Sequence, residues 1–215
     1  MENKLRWGII STGRIAAKFA DSLTASRHGE LIAVASRTAE ALESFAGRFN
    51  VPHRHVGYDA LPADVDVDAV YIATPHPMHA EWAIRAAQAG KHILCEKPLT
   101  LNHADALRVV QAARQHDVFL MEAFMYRCHP QTARLVELIA EQVIGEVRTI
   151  QATFSYNSAY DPTSRVYAHE LGGGGILDVG CYCMSMARLV AGVADGKDFA
   201  EPIDLVGTGH VGPTG

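Results

Sequence analysis

The sequence predicts an α/β protein: a Rossmann-type, doubly wound parallel sheet followed by a second, incomplete α/β domain. Three observations predict it. Short β-branched runs alternate with helical patterns of roughly 10 to 15 residues through the first half of the chain. A glycine-bearing turn, Ser11-Thr12-Gly13, separates the first strand pattern from the first helical one. Past Glu122 the alternation gives way to longer irregular stretches and the run Gly172 to Gly175.

The elements follow in order. Arg6 to Ile10 is a short apolar strand, and a helical pattern runs on to about Leu23. Leu31 to Ala35 is the second strand and Ala39 to Phe49 the second helix, with Thr38 placed to cap it. Val67 to Ala73 is a buried strand entered from the acidic turn of Asp64 and Asp66. Met78 to Ala89 is a helix stopped by Gly90; His92 to Cys95 a strand; Ala104 to Gln115 a helix; Val118 to Met121 a strand. Crossovers between such strands are right-handed, which gives a mostly parallel sheet. The second part predicts helices over Pro130 to Glu141 and Ile176 to Val190, and strands over Glu146 to Tyr156 and Asp204 to His210. Two strands bury too little to form a domain by themselves, so this part is read as incomplete.

Composition narrows the partners. Lys and Arg number 19 against 24 Asp and Glu, a formal charge of -5 without a basic block, which argues against nucleic acid and anionic membrane. The start, Met1 to Trp7, is polar and lacks the apolar core of a secretory signal, and no uninterrupted apolar run reaches membrane-span length. Cys95, Cys128, Cys181 and Cys183 lack zinc-site spacing and read as free thiols, which fits a cytoplasmic protein.

Set against G-x-G-x-x-G/A, the first turn keeps Gly13 in the middle and Ala16 at the end, with Ser11 in first place. Its residues Ser11, Thr12, Gly13, Arg14 and Ile15 open a helix whose free N–H groups suit a pyrophosphate. An NAD-preferring fold places a carboxylate at the end of the second strand, for the ribose hydroxyls. Here that position reads Ser36-Arg37-Thr38. A guanidinium flanked by hydroxyls suits the 2′-phosphate of NADP, so NADPH is expected to bind at least about tenfold tighter than NADH.

Five stretches in order, GIISTGRIA, YIATPHPMHAE, CEKP, MEAFMYRCHP and GGGGILDVGCY, resemble the glucose–fructose oxidoreductase and inositol dehydrogenase (Gfo/Idh/MocA) family. Within it the resemblance is to the branch of dihydrodiol and NADP-dependent D-xylose dehydrogenases. It implies a dinucleotide-binding domain, residues 1–123, followed by the N-terminal part of a substrate and dimerisation α/β domain, residues 124–215, whose open mixed sheet is truncated here. It also implies a cytoplasmic NADP-dependent dehydrogenase for a sugar or cyclic trans-diol, and a homodimer through the second-domain sheet in longer members. The alternative is an NADP-binding regulatory or partner protein without turnover, or an inactive truncated enzyme.

Lys97 follows a strand directly, at the sheet edge where open α/β folds bind ligands, and Pro98 limits its backbone. The resemblance places the lysine of the EKP motif in the active site, with Glu96 beside the cofactor. Asp178 and Tyr182 lie four apart on one helix face, and the resemblance puts both in the substrate pocket. The expected chemistry has Tyr182 accept the substrate hydroxyl proton, with the Lys97 ammonium lowering the phenol's pKa, and Asp178 binding substrate hydroxyls. Ala73, Thr74, Pro75, His76 and His79, after the third of these strands, are expected to line the cofactor pocket. Their HxxH spacing lacks a further ligand nearby, so a metal is not expected. Phe124, Tyr126 and Arg127 are expected, by resemblance, to line the substrate cleft. The other histidines, His53 and His55 among them, read as surface or packing residues.

Overall fold

The computed structural model describes residues 4–214; Met1 to Asn3, the head of the polar start, and Gly215 lie outside the described residues. The chain divides into two compact units, Met1–Ala123 and Phe124–Gly215.

The first unit is one six-stranded sheet: β1 (Leu5–Ile10), β2 (Gly29–Ser36), β3 (His53–Val56), β4 (Ala69–Ile72), β5 (His92–Cys95) and β6 (Leu120–Glu122). Their order is β3-β2-β1-β4-β5-β6 and every pairing is parallel. Helices α1 (Arg14–Thr24), α2 (Ala39–Phe49), α3 (His79–Gln88) and α4 (His103–Gln115) connect them. The side-chain period of two sorts the apolar residues onto two faces. Ile9, Val34 and Tyr71 join Ala16, Ala20, Leu42 and Phe45 on one side. Ile10, Ala35 and Ile72 join Trp82, Ala83, Ala86 and Val109 on the other. A sheet covered on both faces needs apolar residues at every position of a central strand, and β4 is buried throughout. Strand order reverses between β1 and β4, so the crevice at their carboxyl ends is the ligand position of this topology.

Thr38 caps α2 as expected, its Oγ1 accepting from Ala41 N, and the Asn102 side chain caps α4 by accepting from Asp105 N. Two strands differ from expectation. The strand expected from Val67 starts at Ala69, because Val67 N turns back to Asp64 O while Asp68 receives the Arg6 guanidinium. β3 carries no apolar run; as an edge strand it pairs with β2 alone, so its polar residues face water and hide it from a hydrophobic pattern.

The second unit contains α5 (Pro130–Ala140) and α6 (Cys181–Ala194), the latter entered through a π-helical turn, Ile176–Gly180. The helix expected over Ile176 to Val190 is therefore two windings and ends later. Gly173 explains part of the glycine run: a Cβ there would lie 2.6 Å from the Tyr167 carbonyl carbon. The strands expected over Glu146 to Tyr156 and Asp204 to His210 are absent, and among the described residues the unit holds no strand. A β-branched alternating run favours an extended chain, but a strand exists only with a ladder partner, and these runs have none. Their apolar residues stay in solvent, with Ile203, Leu205 and Val206 fully or largely exposed. Among the described residues the second unit is thus helical with unpaired segments, and the open mixed sheet, expected to be truncated, has no strand there.

By length and composition alone, His169–Ala194 is long and apolar enough to cross a membrane, although charged residues interrupt its apolar run. That stretch winds in three ways and carries Arg188 and an ion-paired Asp178.

Candidate active site

In the first unit the candidate residues stand along the carboxyl edge of the sheet. Ser11 sits at φ 99°, the left-handed region that the fingerprint's first glycine serves, and its N–H donates to Ala35 O at 2.9 Å. Gly13 is the N-cap of α1 without a side-chain cap, and the first turn of α1 carries no acid. A Cβ at Gly13 would meet Ser11 Oγ at 3.7 Å and nothing nearer, so the loop is open above it. Arg14 and Arg37 are exposed and Ile15 is half-buried. The two hydroxyls beside Arg37 already have partners. Ser36 Oγ lies 3.2 Å from Thr12 Oγ1, tying the loop to the end of β2, and Thr38 caps α2. Arg37 is the group of that trio left facing solvent.

Beyond β4, the Thr74 hydroxyl oxygen is buried and has no hydrogen-bond partner among the described residues. Free helical N–H groups, two exposed guanidiniums and a buried unpaired hydroxyl fit an anionic dinucleotide across the β1/β4 crevice. Ala73 N donates to Ile10 O, joining the two strand ends. Pro75 leads into a short turn that buries His76. His79 is wholly buried: Nδ1 lies 2.8 Å from Pro98 O and Nε2 lies 2.9 Å from Thr74 O. Burial holds its imidazole below the usual range.

Lys97 stands at the end of β5, joined to Pro98 by a cis peptide. Its backbone N–H donates to Glu96 Oε2 at 3.3 Å, while the Tyr71 hydroxyl donates to Glu96 Oε1. Glu122, at the end of β6, accepts from Leu99 N at 2.7 Å; burial pushes its carboxyl upward, and the nearby Glu96 adds to that. Tyr71 and Glu122 were not singled out in the sequence. Glu122 closes a strand at the ligand edge, and that position was the signal.

The second unit carries a separate group of candidate residues. Asp178, in the π-helical turn, is buried; its carboxylate accepts from Arg165 NH1 at 3.0 Å and from the Tyr156 hydroxyl. That hydrogen bond, together with burial, raises the Tyr156 phenol above its ordinary value. Tyr182, in the first turn of α6, is ringed by Phe124 at 5.3 Å, Phe154 at 5.5 Å and Tyr126 at 6.1 Å between centroids. The Tyr126 hydroxyl meets Ser185 Oγ at 2.8 Å, and Arg127 reaches the Ser185 carbonyl at 3.3 Å. A cavity of about 880 Å³ is lined by Tyr126, Leu135, Phe154, Tyr182 and Met186 among others. Sequence reasoning missed Phe154 and Tyr156 because their run was read only as a strand, and Arg165 because it lies in an irregular stretch without periodicity.

Away from this edge, His53 Nδ1 and His55 Nε2 both meet Asp64 Oδ2, at 2.7 and 3.0 Å. Asp66 completes a group with His53 and Asp64 whose ligand atoms lie within 4.8 Å, although its carboxylate is also paired with Arg6. The two histidines are therefore carboxylate partners, a role their alternation on β3 permits.

A phosphate-receiving turn at the reversal point of a parallel sheet defines the class, a dinucleotide-binding α/β protein. Residues 5–124 match the oxidoreductase family with an NAD-binding Rossmann fold, and residues 132–196 match the GFO/IDH/MocA C-terminal domain. The chain belongs to the Gfo/Idh/MocA oxidoreductase family. It is 39% identical over 188 residues to trans-1,2-dihydrobenzene-1,2-diol dehydrogenase of Xenopus laevis, a match covering 86% of this chain and 56% of that protein. It is 39% identical over 192 residues to D-xylose 1-dehydrogenase (NADP(+)) 2 of Haloferax volcanii, covering 89% and 58%. Among solved structures, a 3-ketoreductase from Actinomadura kijaniata in complex with NADP and TDP-benzene superposes with a TM-score of 0.81. That match is at 39% identity and covers 88% of this chain and 58% of the other. The chain thus spans little more than half the length of the relatives it matches.

Proposed function

We propose that this chain binds NADP and serves the oxidation of a secondary alcohol, or the reverse reduction, in a sugar or cyclic trans-diol. The observation that carries the reading is Arg37 exposed at the end of β2, where no carboxylate stands, beside an uncapped helix N-terminus. The names of the relatives support it: two act on diol or sugar hydroxyls and one was crystallised with NADP.

Bound NADP would supply or take up the hydride. The chain's own residues do the rest. α1 and Gly13 receive the pyrophosphate, Arg37 and Arg14 the 2′-phosphate, and Thr74 the buried side of the nucleotide. Lys97 orients the reacting oxygen and stabilises negative charge on it. Tyr182 accepts the hydroxyl proton at its phenol oxygen, and the surrounding rings exclude water. Asp178, tied to Arg165 and Tyr156, presents a fixed carboxylate edge to substrate hydroxyls. Pairing of the second unit with another copy belongs to the same reading, as does a cytoplasmic location, where the four free thiols are stable.

Fluorescence titration with NADPH and NADH tests the cofactor, with NADPH expected at least about tenfold tighter; equal dissociation constants overturn it. Absorbance of reduced nicotinamide with D-xylose, D-glucose and a trans-dihydrodiol tests the substrate. Tyr182→Phe is expected to lower that turnover by about a hundredfold or more, and an unchanged rate removes the tyrosine.

A further inference from the structure

His79 opens α3 at the carboxyl edge of the sheet, yet none of its surface is accessible. Its ring lies between two carbonyl oxygens from different loops: Pro98 O, next to Lys97, at 2.8 Å from Nδ1, and Thr74 O, past the end of β4, at 2.9 Å from Nε2. A neutral imidazole donates from one nitrogen only, so both bonds form together only in the protonated ring. Burial opposes that proton, Glu96 favours it, Lys97 opposes it, and the His76 ring packs edge-on at 5.6 Å. With either protonation state the imidazole stands between the two loops and sets their spacing.

The loop it holds is the one that carries Lys97. Three consecutive backbone positions there are each tied to a side chain: Lys97 N to Glu96, Pro98 O to His79 and Leu99 N to Glu122. Glu96 lies in the same loop and Glu122 on β6, so His79 is the tie of these three that reaches the loop after β4. We infer that His79 is a positioning residue, fixing the backbone from which Lys97 projects and leaving the cofactor untouched. The inference rests on the proposed role of Lys97 for its catalytic meaning, and on the two hydrogen bonds for its structural one.

The two ring nitrogens can be tested separately. Asparagine places an amide near Nδ1 and glutamine near Nε2, so His79→Asn keeps the Pro98 bond, His79→Gln keeps the Thr74 bond and His79→Leu keeps neither. Amide exchange at Lys97 and Leu99 is expected near the parent rate in His79→Asn, and about tenfold faster in His79→Gln and His79→Leu. NADPH affinity stays within about twofold in all three, and hydride transfer falls in the order of the loosened loop. Unchanged exchange in the glutamine and leucine variants overturns the proposal. So does faster exchange shared equally by α4 in all three, or an NADPH dissociation constant that rises about tenfold in step with them. Lys97→Met separates the two readings. If it leaves hydride transfer intact while the exchange ranking holds, the role of Lys97 fails and the clamp stands; if it abolishes transfer and the ranking is absent, the clamp fails alone.

Discussion

The two units of this chain start from similar hydrophobic patterns and reach different ends. In Met1–Ala123 each apolar run finds a parallel neighbour, and the four residues of β4 are buried on both faces. In Phe124–Gly215 the runs after Glu146 and Asp204 find none, and Val206 is left 90% exposed. Alternation of β-branched residues specifies which side of a strand is apolar; it does not supply the neighbour whose N–H and C=O groups complete the ladder. In the first unit the neighbour comes by a short helical crossover. For the second unit's runs, no such neighbour stands among the described residues.

The largest expected effect tests that contrast directly. Ile9→Ala removes a fully buried side chain from the α1/α2 face and is expected to cost about 2–5 kcal/mol of folding stability. Val206→Ala is expected to change it by less than about 0.5 kcal/mol. Urea unfolding of both variants gives the comparison, and similar losses would mean that the second unit's runs are paired in solution.

The same contrast decides what could be read from sequence. The first unit was legible because its signals are local: Thr38 caps the helix it precedes, and Gly13, Arg37 and Lys97 each stand at the carboxyl end of a strand. What escaped were residues whose importance lies in long-range partners. Glu122 matters through Leu99, Tyr71 through Glu96, and Arg165 and Tyr156 through Asp178. β3 escaped because an edge strand with two carboxylate-bound histidines has no hydrophobic signature.

Cofactor selection sharpens the comparison, because it is assigned wholly to the first unit. Arg37→Ala is expected to weaken NADPH by about tenfold or more while leaving NADH within about twofold. Tyr182→Phe, in the second unit, leaves both affinities at the parent value. Titrations of the two variants against both nucleotides separate the units, and loss of NADPH in Tyr182→Phe would join them. A smaller effect is expected at Ser11, a non-glycine residue at φ 99°. Ser11→Gly relieves a left-handed strain of about 1 kcal/mol or more, partly offset by unfolded-state entropy, so thermal unfolding shifts modestly upward. A lower midpoint would show that the serine hydroxyl, 3.4 Å from Gly13 N, outweighs the strain.

The smallest effect is a dependence on pH, and it arises from a buried carboxyl of the first unit. Burial raises the Glu122 carboxyl in the folded chain above its value in the unfolded one, with Glu96 adding to the shift. Below the unfolded value both states are protonated and the group costs nothing. As pH rises from that value, about 4.3, the unfolded chain ionises first, and stability falls until the folded carboxyl has ionised too. Glu122→Gln keeps an acceptor for Leu99 N and removes the ionisation. It is therefore expected to match the parent near about pH 4 and to unfold at a higher temperature near about pH 8. Thermal scans across that range decide it. A Glu122→Gln chain that falls below the parent in stability as pH rises would mean that the carboxylate charge, through Leu99 N, is worth more to this loop than its burial costs.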